Sequence, residues 1–549
     1  MTHPRAPKIG RLSAGSLLSA LAALIWLPQA ALLALSVQAL ADGGGFGAVV
    51  VLAGFVLGLG VLRAGAEAAG ARLSYLRARQ LLGEARGEAL HCLATGSPLD
   101  PRRHPAGLAA SVLAEQAETL LPYLSRFEPV RLRVALVPPL ILAAVFSQSW
   151  VAALILLAAA PLIPVFMALV GWRAKAASEA QMVEMGGMNA FLLDRLRGLA
   201  TIRGLGAIEA TAERLAASAR GLRQRTMAVL RIAFLSSAVL ELFSALGVAM
   251  VAVYVGFHLL GQLGFGAWGG RLDLAQGLFV LMLAPAFFEP LRDLSAVWHD
   301  RAAGVAAADS LARLAAPGLE VPGALDRAGA ASGPVPGVEI EHLHFSHEGA
   351  AKPVFTDFSL NIRPGEHVAL TAPSGAGKST LLSLIAGLAP VGAGCIAIGG
   401  TALTGASAAS LRARIAWIGQ RPHFFAGTVR GNIALGRPEI GLMDVLDAVA
   451  LARLQGVAGP GAARDLGEGG GGLSGGEQLR LAIARAAATP DLGLVIADEP
   501  TAHLDRATAA EVTAGLLALA EGRTLILATH DPVLIAAMDR QIDLTGARS

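Results

Sequence analysis

Leu370–Thr380 reads LTAPSGAGKST, and the fold of the second half of the chain turns on how this stretch is understood. Apolar residues lead into a glycine-rich turn, then Gly377-Lys378-Ser379-Thr380, then LLSLIAGL at helical spacing. That order is strand, phosphate loop, helix. The small residues Ala372, Pro373, Ser374, Gly375, Ala376 and Gly377 let backbone N–H groups converge on phosphate oxygens, and the helix N-terminus adds a favourable dipole. Lys378 is placed to reach the outer phosphates, and the Ser379 hydroxyl, followed by Thr380, to hold Mg2+. The pattern G-x-x-x-x-G-K-[ST] has one mismatch, because Ala372 stands where its first glycine belongs.

Composition says what this loop is attached to. The chain has 549 residues, enough for two or more domains. Apolar residues make up 54% and charged residues only 15%, with a mean hydropathy of +0.58. That is too apolar for an ordinary soluble protein and points to membrane spans. The net charge of +3 is too small to argue for nucleic acid. Cys92 and Cys395 lie too far apart in sequence to form a disulfide framework or a metal motif.

The apolar content is concentrated between residues 12 and 290. The run from Leu12 to Leu40 is far longer than the ~7–15 residues of a signal-peptide core, so it reads as a retained first span, with Pro28 as a candidate kink. Five more segments follow: Phe46–Leu62, Val134–Phe146, Trp150–Val170, Ile232–Leu260 and Leu274–Phe288. Several fall short of the ~20 residues a span needs, so their helices are expected to continue into the flanks. Pro138-Pro139 is expected to interrupt the third.

Charge sets the orientation. Lys and Arg number three in residues 1–11, nine in 72–133 and ten in 172–231, whereas the intervening turns contain only Arg271. Cationic loops stay on the cytoplasmic side, which places the N-terminus there and returns the chain to the cytoplasm after six spans. The two long cationic connections carry Ala/Leu alternating with Arg/Glu at helical spacing, as in EATAERLAASARGLRQR (Glu209–Arg225). They read as helical hairpins with breaks at Thr95–Pro105 and near Gly198–Gly206. Ionisable groups at membrane depth are costly and tend to face a cavity or a partner. Glu241 is therefore a candidate for a translocation path or for pairing with an arginine, and His258 reads as interfacial. Ala312–Gly337, rich in Ala, Gly and Pro, reads as a linker.

From Val338 onward short β runs give way to alternating strand and helix. IAWIGQ ends in Gln420, LSGGE spans Leu473–Glu477 at the start of a helix, LVIADEP carries Asp498-Glu499, AHLD ends in Asp505, and TLILATH ends in His530. Asp498, at the end of an apolar strand, is placed to hold Mg2+, and Glu499 to act as general base on an attacking water. Gln420 is placed to contact metal or water, and His530 to bind the γ-phosphate. Leu473, Ser474, Gly475, Gly476 and Glu477 form a second phosphate-binding helix start. It is expected to lie too far from Lys378 to share a nucleotide, which makes sense if two such domains pair head to tail.

In this order and at these spacings the motifs resemble the ATP-binding-cassette (ABC) ATPases. Six spans ahead of one such domain resemble an exporter-type half-transporter. The resemblance implies a six-helix transmembrane domain over 1–311, a linker over 312–337, and an α/β P-loop cassette domain over 338–549. It also implies ATP and Mg2+ as cofactors and Asp505 as part of the loop facing a partner domain. APLIPVFMALVG (Ala160–Gly171), FLLDRLRG (Phe191–Gly198), RQRTMAVLRIAFLSSAVLELF (Arg223–Phe243) and LAPAFFEPLRDL (Leu283–Leu294) are similar to the CydD-type subunits of the thiol-reductant exporters. That likeness implies a heterodimer with a CydC-type half in the bilayer of a bacterial inner membrane, export of cysteine and glutathione, and a role in cytochrome bd assembly. A haem cargo on the same scaffold, a homodimeric lipid or drug exporter, and a non-transporting ATPase stay open as alternatives. Two departures stand out. One is Ala372; the other is His347, which occupies the adenine-stacking position two residues after Phe345 and is expected to stack less strongly than tyrosine. Either would make this chain's site the weaker of a pair.

Overall fold

A computed structural model of the chain describes residues 13–161 and 191–544, apart from 44, 193–194, 196–197, 269, 327–332 and 351. The chain divides into two compact units. One comprises the residues up to Gly87 together with Gly107–Arg313, the other Glu88–Ala106 together with Leu314–Ser549.

The first unit is helical. Its main elements are α1 (Ala14–Leu24), α2 (Trp26–Ala41), α3 (Phe46–Thr95), α4 (Glu128–Phe146), α5 (Trp150–Ala159), α6 (Ile208–Leu259), α7 (Leu274–Ala296) and α8 (Trp298–Leu314). Among the described residues, five stretches are long and apolar enough to cross a membrane: Ala14–Ala41, Val49–Thr95, Ala106–Phe146, Glu241–Leu259 and Leu274–Leu314. The fourth expected span is helical over Trp150–Ala159; residues 162–170 of it, most of APLIPVFMALVG and part of FLLDRLRG lie outside the described residues. The helices do outrun their apolar parts, with 50 residues in α3 and 52 in α6.

Proline acts differently in the two places where it was expected to matter. The first span breaks into α1 and α2 at Ile25, because Pro28 has no N–H to offer the carbonyl of Leu24, four residues back. Pro138-Pro139, by contrast, does not interrupt α4, which runs through both. The two prolines remove only two ladder bonds, and Pro138 is buried in a helix that packs along Val137, Ile141 and Val145. The core of this unit joins α4, α5, α6 and α7 around Leu156, Val251, Leu283 and Phe288. Gly247 of α6 permits the close approach, since a Cβ there would sit 2.6 Å from the Phe288 ring.

At one end of α5 and α6, polar groups tie the turn down. Ser149 caps α5 and donates to the Gly266 carbonyl at 2.8 Å, with Tyr254 Oη 2.9 Å from the same hydroxyl. His258 is buried in the last turn of α6, against the turn that follows it. Its Nε2 lies 2.8 Å from the Phe265 carbonyl, and its Nδ1 accepts from the Leu272 N–H, so both ring nitrogens are used.

The second unit contains β1 (Val338–Phe345), β2 (Phe355–Ile362), β3 (His367–Thr371), β4 (Ala393–Ile398), β5 (Thr401–Ala402), β6 (Ile415–Ile418), β7 (Gly427–Thr428), β8 (Asp465–Leu466), β9 (Leu494–Asp498), β10 (Thr524–Ala528) and β11 (Arg540–Asp543). A four-stranded antiparallel sheet has the order β2-β1-β4-β5, and a five-stranded parallel sheet the order β11-β3-β10-β9-β6. The central strands read as unbroken apolar runs because both faces of the parallel sheet are covered. Alternate residues serve opposite faces. Ala369, Val495, Leu525 and Leu527 enter one core cluster, while Val368, Leu370, Ile496, Ile526 and Ala528 enter the other.

Candidate functional site

The parallel sheet collects the motifs at one edge. Leu370 of β3 pairs with Ala528 of β10, Ala528 with Asp498 of β9, and Ile418 of β6 with Ala497. The C-terminal ends of four neighbouring strands therefore carry, in spatial order, the phosphate loop, His530, Asp498-Glu499 and Gln420. Ligands of open parallel sheets bind outside such carboxyl ends.

The loop after β3 leads into α9 (Lys378–Ile385). Gly375 and Gly377 have φ of +76° and +104°, a conformation that favours glycine, and a Cβ on Gly377 would meet Val354 at 2.6 Å. Ala372 is not among the positive-φ residues, so the missing glycine costs the turn nothing. What the loop uses there is the carbonyl: Lys378 Nζ donates to Ala372 O at 2.7 Å. Lys378 is buried, whereas Ser374 and Ser379 face outward.

Three side chains from three strand ends converge. Lys378 Nζ lies 2.7 Å from His530 Nε2 and 3.7 Å from Glu499 Oε1, and His530 Nε2 lies 3.5 Å from the same carboxylate oxygen. Glu499 has φ of +48°, a left-handed conformation that costs a residue with a Cβ about 1–3 kcal/mol. Its N–H is held by the Ala528 carbonyl at 2.9 Å. The strained backbone carries the chain out of β9 while its carboxylate stays beside Lys378 and His530.

Asp498 Oδ1 is buried and has no hydrogen-bond partner among the described residues. A carboxylate oxygen left without a donor in a buried position is what a hard cation requires. With the exposed Ser379 hydroxyl at the start of α9 it offers a two-oxygen set, the number Mg2+ takes from protein when phosphates supply the rest. The residues fit the ion.

Gln420 is exposed just past β6. The segment behind it is pinned by residues the motif reading had not singled out. The Asn432 side chain accepts from the Phe425 N–H and donates to the Phe425 carbonyl, each at 2.9 Å. Arg485 donates to the His423 and Asn432 carbonyls at 3.0 and 2.9 Å and lies 4.8 Å from the Phe424 ring centroid. His530 has a comparable support: the next residue, Asp531, accepts from the Thr501 hydroxyl at 2.9 Å. None of these partners is recognisable by spacing, since each bond joins residues 7 to 62 positions apart.

His347 is half-buried beside the loop. Its ring stands edge-on to Phe345 with centroids 5.2 Å apart, and Nε2 lies 3.4 Å from the Thr380 hydroxyl. The ring is thus close to the phosphate-loop helix.

The LSGGE segment begins α10 (Gly475–Ala487). Ser474 and Glu477 form a reciprocal capping box: the Ser474 N–H donates to Glu477 at 2.7 Å and the Glu477 N–H to Ser474 Oγ at 3.3 Å. The bond from the Ser474 N–H holds the Glu477 carboxyl below its ordinary range; burial opposes this, and Ser474's hydroxyl, Arg480 and Arg464 reinforce it. Gly476 packs against α11 (Arg506–Ala520), where a Cβ would meet Thr508 Cγ2 at 2.0 Å. Gly475 is exposed, and a Cβ there would meet Leu504 at 3.8 Å, an ordinary contact. Asp505 caps α11, accepting from the Ala507 and Thr508 N–H groups at 3.0 Å and from the Thr508 hydroxyl at 2.6 Å; the hydroxyl, foremost, lowers its pKa. Among the described residues no hydrogen bond joins Leu473–Glu477 to Ala372–Thr380.

Glu241, on α6 of the other unit, is exposed and lies 3.3 Å from Arg292 of α7. The arginine partner is present, and the carboxylate is still open to solvent.

Comparison with known proteins adds family to geometry. The model of the ABC transporter transmembrane region matches residues 12–276, and that of the ABC transporter matches residues 355–502. The glutathione/L-cysteine transport system ATP-binding/permease protein CydD of Escherichia coli is 37% identical over 463 residues, 84% of this chain and 78% of that protein. The protein CydC of the corresponding Bacillus subtilis system is 30% identical over 95% of this chain and 89% of its own length. The solved structure of a bacterial Atm1-family ABC exporter with ATP bound shares the fold, with a TM-score of 0.71 and 23% identity over 97% of this chain and 94% of that one.

Proposed function

The chain belongs to the ABC transporter family and is of the CydD type, and from that premise we propose that it pairs with a CydC-type half to export glutathione and cysteine across the bacterial inner membrane. In this reading the N-terminus and the cassette domain are cytoplasmic, as the cationic loops require, and the exported thiols support cytochrome bd assembly. The chain is a multi-pass membrane protein whose transport is coupled to ATP hydrolysis. The domain division follows the sequence reading: membrane domain over 1–311, linker over 312–337, cassette over 338–549.

The observation that carries the catalytic part is the meeting of Lys378, His530 and Glu499 within 4 Å at the end of the parallel sheet. ATP lies along Ala372–Thr380, with backbone N–H groups around its phosphates and His347 against the adenine. Lys378 neutralises the outer phosphates. Glu499 accepts a proton from the attacking water as the new oxygen–γ-phosphorus bond forms and the β–γ bridge breaks, leaving ADP and phosphate. His530 donates to the γ-phosphate oxygens as charge develops there, and Gln420 would contact the water or the metal from the neighbouring strand end. Asp498, Ser379 and Gln420 would hold Mg2+, which supplies charge neutralisation at the β- and γ-phosphates when bound. Leu473–Glu477, with Ser474 and Gly475 outward, serves the partner's nucleotide, and Asp505 shapes the adjoining loop. Two cassettes then close around two ATP molecules, and the long helices of the hairpins carry the motion to the membrane domain. Glu241 borders the cargo path.

The test is reconstitution of the chain with its CydC-type partner in vesicles, offered cysteine, glutathione and haem in parallel. Thiol uptake into inside-out vesicles that depends on ATP supports the reading; ATP-dependent movement of haem with no thiol movement overturns the cargo assignment. Glu499→Gln should retain ATP at this chain's site and lower turnover about 10²-fold or more if this site is the hydrolysing one. Unchanged turnover would assign hydrolysis to the partner's site.

A further inference from the structure

A cavity lies wholly within the helical unit. It has a volume of about 470 Å³ and opens among α1, α2, α3, α4 and α7. Its charged lining is Arg63, Glu67, Arg133, Glu289 and Arg292. Each of these stands where an apolar run meets a polar one: Arg63 directly after Phe46–Leu62, Arg133 directly before Val134–Phe146, Glu289 directly after Leu274–Phe288. Three helices therefore bring charge to the same end of their spans, the cationic-loop end. The deeper wall is apolar, including Val137, Ile141 and Met282.

The pairing inside this cavity is incomplete. Arg133 lies 3.5 Å from Glu67 and 3.6 Å from Asp293, and its Nε is buried with no hydrogen-bond partner among the described residues. Arg292 reaches outward to Glu241 at 3.3 Å. Arg63 rests 5.5 Å from the Trp26 ring centroid and has no carboxylate within 4.0 Å among the described residues, and Glu289 has no cation within that distance. One wall thus offers an uncommitted guanidinium and another an uncommitted carboxylate. Charged groups that face a cavity at the cytoplasmic end of the spans are placed to meet a charged solute as it enters. A guanidinium matches a carboxylate through paired N–H donors, and a carboxylate matches an ammonium. Among the described residues no cysteine, serine, threonine or histidine lines the cavity, and the polar contacts it offers are charged groups.

We infer that this cavity receives a small zwitterion of the amino-acid or short-peptide class, its carboxylate on Arg63 and its ammonium on Glu289, and that it reads these charges and not the sulfur. The inference rests on the reading of the chain as an exporter of glutathione and cysteine and adds how such cargo is held. It also separates that cargo from haem, which brings carboxylates but no ammonium.

The experiment is equilibrium binding of labelled glutathione to the full chain with its CydC-type partner in lipid nanodiscs, without nucleotide. Competitors are ophthalmate, the same peptide with a methyl group in place of the thiol, and haem. Ophthalmate should compete within about 3-fold of unlabelled glutathione. Arg63→Gln and Glu289→Gln should each weaken glutathione binding about 10- to 100-fold, the loss expected for one charge-assisted contact. Arg271→Gln, in the turn at the other end, should leave it unchanged. ATP binding by each variant reports that it is folded, and the ophthalmate comparison uses the unaltered chain. If ophthalmate fails to compete, or if both variants bind glutathione as the parent does, the charge-reading site is wrong even though thiol export can stand. If glutathione and ophthalmate bind equally and both variants lose them while vesicles export no thiol, the site stands and the export reading falls. If only haem binds, both fall.

Discussion

Replacing Gly476 by alanine would probe how the LSGGE segment is held. A Cβ at this position would lie 2.0 Å from Thr508 Cγ2, against about 3.5–4.0 Å for carbon atoms in contact. Either α10 and α11 separate by roughly 1.5 Å or Thr508 turns about χ1. Turning Thr508 draws its hydroxyl away from Asp505, which it now meets at 2.6 Å. Overpacking of this kind costs about 1–3 kcal/mol, and the better helix propensity of alanine returns at most about 1 kcal/mol. The expected net loss is about 1–2 kcal/mol, a fall of about 2–8 °C in the midpoint of a cassette-sized domain. Thermal unfolding of the full chain in detergent, followed by tryptophan fluorescence at one fixed scan rate, measures it. Thr508→Ser removes the obstructing methyl and keeps the hydroxyl. In that background Gly476→Ala should be neutral within about 0.5 kcal/mol. An undiminished loss in the Thr508→Ser background would show that the Thr508 methyl is not the obstacle, and the packing argument would fail.

Three other outcomes follow from the same geometry. Lys378→Ala removes the ammonium that joins Ala372, His530 and Glu499; ATP binding at this chain's site, read with a fluorescent ATP analogue, should weaken at least about 10-fold. Arg485→Leu leaves the His423 and Asn432 carbonyls without their donor and should destabilise the cassette by about 2–3 kcal/mol, visible as earlier protease cleavage near Gln420. Glu477 has a lowered carboxyl pKa, so its capping contribution is complete above the ordinary glutamate range and disappears as pH falls through the lower folded-state value. The stability gap between the parent and Glu477→Gln should therefore be present at neutral pH and close in acid; a gap that persisted below the carboxylate range would mean the charge is not what stabilises the helix start.

Much of the site was legible because phosphate chemistry needs contiguous residues. A loop of small residues, a lysine and a hydroxyl must follow one another along the chain, so Ala372–Thr380 announces itself. The ends of apolar strands are legible too, and Asp498, Glu499 and His530 were found from that alone. Ala372 reads as a defect in sequence and is none in the fold, because the loop uses its carbonyl and its φ is not positive. Pro138-Pro139 read as an interruption, but local sequence does not show the neighbouring helices that bury Val137, Pro138 and Ile141 around them.

The sequence by itself determined the order of spans, the asymmetry of their charged loops and the set of nucleotide motifs, because hydropathy and phosphate-loop chemistry are written over neighbouring residues. Tertiary structure alone decided which motifs meet. Lys378 and His530 are 152 residues apart and touch because β3 and β10 pair in register, Leu370 beside Ala528. Glu499 joins them because β9 pairs with β10 on the other side and because its left-handed backbone turns the chain there. The uncommitted charges of Arg63 and Glu289 are likewise invisible along the chain. Only packing of the helices puts on the walls of one cavity a guanidinium and a carboxylate that have no ion-pair partner among the described residues.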